Sequence, residues 1–246
     1  ITGASRGIGS SMAESFLKEG ARVLLVSRGS SQLLATVKLL QDKYSKSKVD
    51  IETCDFSDQE SVLLLRNRVQ EKWGKLDIVI ANVGDGRSVP DSMPSDEQWR
   101  KTWGNNFEST LYTSRIFLPL LKESKGTLLF ISSIAGIEAF GAPVDYSTAK
   151  SALIALSKNL SRKIAPDVRV NVIAPGNIFF PGGSWDEQIK KNPKKVNKII
   201  ESSVPMKRFG EPEEIADAAV FICSERASFL TGSVLVIDGG QTIGVY

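Results

Sequence analysis

Histidine is absent from the 246 residues, and cysteine occurs only twice. Without histidine there is no Ser-His-Asp triad and no His-ligated metal site, so Tyr, Lys, Ser and the carboxylates are left for any proton chemistry, and no metal is expected. Cys54 and Cys223 lie far apart with no metal-type spacing, which argues against a disulfide framework and for two small buried hydrophobes. Long apolar runs are also missing. With no visible signal peptide, the sequence predicts a cytoplasmic protein without a membrane partner. Charge of one sign is scarce as well: 31 Lys and Arg against 28 Asp and Glu leave a net +3, too little to imply nucleic-acid binding.

What is present alternates. Short β-branched runs at 21–27, 49–54, 75–81, 126–132, 168–174 and 233–237 are separated by helical patterns near 9–19, 30–45, 58–73, 96–122, 145–164 and 211–224. This predicts an α/β fold, a doubly wound parallel sheet with helices on both faces. Ser95, three residues before Gln98, predicts a capping box for the helix from 96. No repeat or linker divides the chain, so residues 1–246 are read as one domain. The first strand is expected to be largely missing, because Ile1 falls in mid-motif. Residues 176–206, where Pro, Gly and Lys cluster, form the least regular stretch, and an insertion of that length is expected to be functional, as a substrate-binding lid.

Two patterns carry chemistry. Residues 2–9 read Thr-Gly-Ala-Ser-Arg-Gly-Ile-Gly and open a helical stretch followed by a strand. Gly3, Gly7 and Gly9 permit a tight turn and close approach of a pyrophosphate to the helix N-terminus, as in a Rossmann-type dinucleotide-binding unit. The second pattern is Tyr146 and Lys150, four residues apart and so on one helix face. A free phenol titrates near ~10, and lowering that by about 3 units needs roughly 4 kcal/mol. A cation ~4 Å away at an effective dielectric of about 20 supplies roughly that much. The pair is expected to transfer a proton near neutral pH.

Taken in order, these motifs resemble the short-chain dehydrogenase/reductase family, in its compact branch of reductases related to 3-oxoacyl-[acyl-carrier-protein] reductase. The resemblance runs almost end to end. It places the cofactor loop on Thr2 to Gly9, the altered Asn-Asn-Ala-Gly segment on Ala81 to Gly84, the helix Asn on Asn106, and the Tyr-x-x-x-Lys motif on Tyr146 and Lys150. The Pro-Gly turn falls on Pro175 and Gly176, and residues 208–215 through 238–240 match the closing segment. The catalytic Ser falls on Ser133, thirteen residues before Tyr146; Ser132 is the alternative, since only one of two adjacent strand residues can face the site.

The resemblance implies roles. Tyr146 would be the general acid in carbonyl reduction, and base in reverse. Ser133 would hold the substrate oxygen, Lys150 would also reach the nicotinamide ribose, and Asn106 would distort its helix and hold a water linking Lys150 to solvent. Cofactor contacts are expected at Gly3, Ser5, Arg6, Gly7, Ile8, Gly9, Asp55, Phe56, Asn82, Gly84, Pro175, Gly176 and Ile178, with Asp55 near the adenine and Ile178 bordering the nicotinamide amide. An acid closing the second strand would repel a 2′-phosphate; here Ser27 and Arg28 stand there. Arg28, with Arg6 approaching the same group, predicts NADP(H) over NAD(H).

Departures from the family pattern fall at Ala81, Val83 and Phe180, the last in place of a Thr. Phe179, Phe180 and Trp185 either line the substrate pocket or pin the lid to the core. Lys190, Lys191, Lys194, Lys195 and Lys198 either attract an acidic substrate or form a solvated face balanced by Asp186, Glu187 and Glu201; the second reading is preferred. The expected function is NADPH-dependent reduction of a small-molecule or thioester carbonyl. A sugar or other specialised alcohol dehydrogenase, and a non-enzymatic cofactor sensor, are the alternatives. By resemblance the molecule is expected to be a homo-oligomer, tetramer or dimer.

Overall fold

The structure, a computed structural model, describes residues 1–245; Tyr246, the last residue of the expected domain, lies outside them. Strands β1 (Val23–Ser27) and β2 (Val49–Thr53) pair in parallel, as do β3 (Ile78–Ala81), β4 (Thr127–Ile131), β5 (Arg169–Pro175) and β6 (Val234–Ile237) in that order. The opening residues join the two groups. Thr2 N donates to Ile80 O (3.0 Å), Val26 N to Ile1 O (3.0 Å) and Ala4 N to Val26 O (3.1 Å), so Ile1–Ala4 runs between β1 and β3.

Both faces of this parallel sheet are covered. Leu129, Ile131 and Ile173 point to one face, against Met12 and Phe16 of α1 (Gly7–Lys18), Leu33 and Val37 of α2 (Ser31–Lys43), and Ile215 and Ala219 near the C-terminus. Their neighbours Leu128, Phe130, Val170 and Val172 point to the other, against Val62 and Leu65 of α3 (Gln59–Trp73) and Phe117 and Leu120 further along. Strands buried on both sides need continuous apolar runs rather than alternation, and Leu128–Ile131 is such a run.

The expected helix over 96–122 is three segments: α4 (Asp96–Trp103), a π-helical turn (Gly104–Glu108) and α5 (Ser109–Ser124). The Ser95 cap forms, accepting from Gln98 N at 3.3 Å, but the Gln98 side chain turns to Ser88 and Thr102 instead of closing the box. α6 (Val144–Ile164) matches its sequence pattern closely. The stretch 176–206 is more regular than its composition suggested. It contains α7 (Ser184–Lys191) and α8 (Pro193–Ser203), the latter capped by Asn192 and opened by a proline that needs no partner for its missing N–H. α9 (Pro212–Cys223) then packs on α1, closed at its start by the Glu211–Glu214 capping box. Among the described residues no helix is long and apolar enough to cross a membrane.

A cavity of about 310 Å³ lies at the N-terminal edge of the sheet, between the starts of β1 and β3, walled by Ile1, Val23, Ile78, Val69 and Phe117. The chemistry-bearing residues lie at the opposite edge.

Candidate active site

Loops leaving the C-terminal ends of the strands bring the sequence-predicted residues to one edge of the sheet: Thr2–Gly9, Arg28 after β1, Asp55 after β2, Asn82–Ser88 after β3, Ser132 and Ser133 after β4, and Pro175 and Gly176 closing β5. In open α/β sheets this edge is where ligands bind.

The glycine loop is shaped for an anion. α1 starts at Gly7 with Arg6 in extended backbone at its N-cap, no side chain capping the first turn and no acid within it. Its leading amides are therefore left for a ligand. Gly3 and Gly7 have φ of +64° and +54°, and a Cβ on Gly9 would collide with the Gly3 carbonyl oxygen. Asn82 ties this loop to β3: its Nδ2 donates to Thr2 O and Gly3 O (3.0 and 3.3 Å), while Thr2 Oγ1 accepts from the amides of Asn82 and Val83. Thr36 Oγ1 holds the Ser5 carbonyl at 2.8 Å.

Arg28 is exposed at the end of β1, where no acid stands. Asp55 Oδ1 accepts from both the Oγ and N of Ser57, which chiefly holds its carboxyl below the ordinary range, with the charge of Arg28 assisting. These features fit a phosphorylated dinucleotide. Two predicted contacts differ in detail. Phe56 is buried in the core, and Arg6 donates through Nη1 to Gly182 O at 2.8 Å, toward the lid rather than toward Arg28. Ile178 is buried and bridges to Gly210 at the base of the lid; Gly176 packs so tightly on Asp238 that no Cβ would fit.

Tyr146 and Lys150 lie one turn apart on α6, the ammonium 5.8 Å from the ring centroid. Lys150 Nζ donates to Ile131 O at 3.1 Å, and its burial brings the pKa down to about 8. A Cβ on Gly84 would lie 2.8 Å from that nitrogen and 2.9 Å from Asn106 Oδ1, so ammonium and carboxamide face the same glycine. The phenol departs from the expectation of an acidified hydroxyl. Burial pushes the Tyr146 pKa up, the Ser133 hydroxyl beside it pulls it back, and the charge of Asp85 raises it further. With Lys150 turned to the Ile131 carbonyl, desolvation prevails over the attraction that the spacing suggested.

The two adjacent serines point in different directions. Ser132 Oγ donates to Lys150 O at 2.8 Å and is buried, serving α6, whereas Ser133 faces Tyr146. Asn106 lies in the π-helical turn, its Oδ1 accepting from Asp85 N and its Nδ2 donating to Asp85 O and Thr102 O, each at 3.0 Å. The sequence reading missed Asp85, Gly86 and Arg87. A Cβ on Gly86 would lie 3.8 Å from Tyr146 Cζ, and Arg87 bridges Asp85 to Glu187 of α7 with contacts of 3.0, 3.1 and 2.7 Å. Only their place just after the altered Ala81–Gly84 segment signalled them.

The lid aromatics act as pins. Phe179 and Trp185 pack on Phe209 with centroids 5.9 and 5.4 Å apart, and the Phe180 ring lies against Gly7.

Comparison with known proteins agrees with this geometry. A family model described as enoyl-(acyl carrier protein) reductase matches residues 3–242. The chain is 29% identical to a 3-oxoacyl-[acyl-carrier-protein] reductase of Thermotoga maritima, covering 99% of this chain and 96% of the relative. It is 35% identical to a tropinone reductase homologue of Arabidopsis thaliana, over 99% and 91%. Among solved structures, L-sorbose reductase of Gluconobacter frateurii, complexed with NADPH and L-sorbose, superposes with a TM-score of 0.92 at 31% identity, over 100% and 96%. The chain belongs to the short-chain dehydrogenase/reductase family.

As a short-chain dehydrogenase/reductase it is an oxidoreductase with a Rossmann-type fold. Within that frame its own departures become physical. Val83 leaves its amide on Thr2 Oγ1, and Phe180 presents a ring to the glycine loop where the family pattern has a hydroxyl.

Proposed function

We propose that the protein reduces a carbonyl to a secondary alcohol with NADPH, Tyr146 giving the proton. The observation that carries this reading is the convergence of Tyr146, Ser133 and Lys150 beside Gly84 and Gly86, at the sheet edge where the uncapped start of α1 also lies. The cofactor, when bound, supplies the hydride. Gly3, Ser5, Gly7, Ile8, Gly9, Asn82, Gly84, Pro175, Gly176 and Ile178 would shape its cleft, and Arg28 would take the 2′-phosphate. NADPH in the L-sorbose reductase complex supports that choice.

The chain's own residues then do the rest. Ser133 donates to the substrate oxygen and holds it beside the phenol. Tyr146 is kept protonated at neutral pH by burial and by Asp85, the state a proton donor requires. Lys150, positively charged below about 8, stabilises the phenolate left after transfer. Asn106 holds the Asp85 backbone so that the wall opposite Lys150 keeps its place.

For the substrate, two classes are proposed. Oxoacyl thioesters follow the Thermotoga maritima relative; a keto-sugar follows the sorbose reductase and is favoured by the charged Asp85 and Arg87 beside Tyr146, poor company for an acyl chain. By resemblance we extend the proposal to a cytoplasmic homo-oligomer.

A screen of 3-oxoacyl thioesters, keto-sugars and simple ketones, followed by NADPH oxidation, tests the reading. Turnover by the wild type and none by a folded Tyr146→Phe variant is expected. Undiminished turnover by that variant would overturn it, and full retention of NADPH preference by Arg28→Ala would overturn the phosphate assignment.

A further inference from the structure

Asp145 is a carboxylate only 1% exposed, one residue before Tyr146, and among the described residues no Lys or Arg pairs with it. Burying a carboxyl without a counter-charge is costly unless hydrogen bonds replace its water. Two do so here. Oδ1 accepts from Tyr146 N at 2.8 Å, in the first turn of α6 where the helix dipole favours an anion, and Oδ2 accepts from Ser88 Oγ at 2.6 Å.

Ser88 opens onto a chain of bonds that returns to the site. Gln98 Nε2 donates to Ser88 Oγ (3.2 Å) and Thr102 Oγ1 (2.9 Å), and the Thr102 carbonyl accepts from Asn106, which holds both backbone groups of Asp85. The loop 84–88 is thereby anchored twice, at Asp85 by Asn106 and at Ser88 by Asp145. Between the anchors lie Gly86, against the hydroxyl-bearing carbon of Tyr146, and Arg87.

We propose that Asp145 and Ser88 are a positioning couple that fixes the loop 84–88 against Tyr146, so that the substrate-side wall and the proton donor share one frame. The assignment rests on the reading of Tyr146 as that donor. It explains why an ionisable group, rather than a packed apolar side chain, occupies the buried place before the tyrosine: an apolar residue could fill the space but could not hold Ser88.

Amide hydrogen exchange with NADPH present tests this without a known substrate. Ser88→Ala and Asp145→Ala are each expected to speed exchange of the 84–88 amides about 10- to 100-fold, with β5 unchanged. The double variant should do no more than either alone, because both remove one interaction, and Ser88→Thr should restore protection. With 9,10-phenanthrenequinone as the probe ketone, KM should rise about 5- to 30-fold in Ser88→Ala while kcat stays near wild type. Exchange in 84–88 close to wild type would overturn the proposal, as would acceleration spread equally through β5 and α9. Should Asp145→Ala not fold, Ser88→Ala and its threonine rescue decide alone. Absence of probe turnover by the wild type would count against the catalytic reading, and the exchange result would still judge this couple.

Discussion

The two walls of the site are built by different means. On the sheet side, Ser132, Lys150, Asn106 and Asp145 are buried and joined by hydrogen bonds to backbone groups that are themselves buried or nearly so. On the lid side, α7 is fastened by one exposed pair, Arg87 to Glu187, and by the packing of Trp185 on Phe209, while Lys190 and Asp186 pair within the helix itself. Exposed ion pairs contribute little stability, whereas a buried donor or acceptor left unpaired is expensive. The first wall is therefore held by buried hydrogen bonds and the second by contacts that solvent and salt can reach.

The contrast can be broken most sharply at Lys150. Lys150→Met is expected to lower kcat about 10²- to 10⁴-fold. It should also stabilise the fold at pH 7. Burial drops the lysine pKa from 10.5 to about 8, so below 8 the full cost of a buried charge is present. Between about 8 and 10.5 the unfolded chain binds the extra proton, and stability rises with pH across that window by about 3 kcal/mol. Denaturant titrations at pH 7 and pH 10 should show that rise in the wild type and lose it in Lys150→Met. Reduction should decline on the alkaline side as Lys150 loses its proton above about 8, while acid pH leaves the protonated phenol in place.

The two serines sharpen the comparison at the next level. Ser133→Ala should lower kcat about 10²-fold with little change in melting temperature. Ser132→Ala should do the reverse, costing about 0.5–1.5 kcal/mol by removing a buried hydrogen bond that the Lys150 carbonyl accepts besides its helical one. Equal effects on activity from both would dissolve the distinction drawn from their directions.

On the lid, Glu187→Gln should change stability by less than about 1 kcal/mol, yet raise KM and make it less sensitive to salt. A larger loss of stability would mean that the lid is as firmly built as the sheet side. The smallest effect is expected at the lysines of α8: reversing Lys194 and Lys195, both exposed, should leave KM for an uncharged ketone unchanged.

Much of this was legible in the sequence. Gly3, Gly7 and Gly9 declared the anion loop because only glycine allows those dihedrals and that approach to Gly3 O, and the i, i+4 spacing put Tyr146 and Lys150 together. What the one-dimensional pattern missed depends on contacts across the chain. The helices of 176–206 were obscured by the Pro, Gly and Lys clustered around them, although Val196, Ile199 and Ile200 carry the i, i+3, i+4 spacing of an apolar face in α8. The direction of the Tyr146 shift was misjudged because spacing gives proximity to a charge but no information on desolvation. Asp145 and Ser88 are 57 residues apart, and nothing in either neighbourhood announces that they meet.

The π-helical turn at Gly104–Glu108 has a consequence of its own. Such a turn amounts to one surplus residue wound into an otherwise ordinary helix. Deleting a single residue there would let α4 and α5 merge into one regular rod, better hydrogen-bonded than before, while everything beyond the join rotates by about 100°. The carboxamide of Asn106 would swing away from Asp85, leaving a sounder helix and a dismantled site.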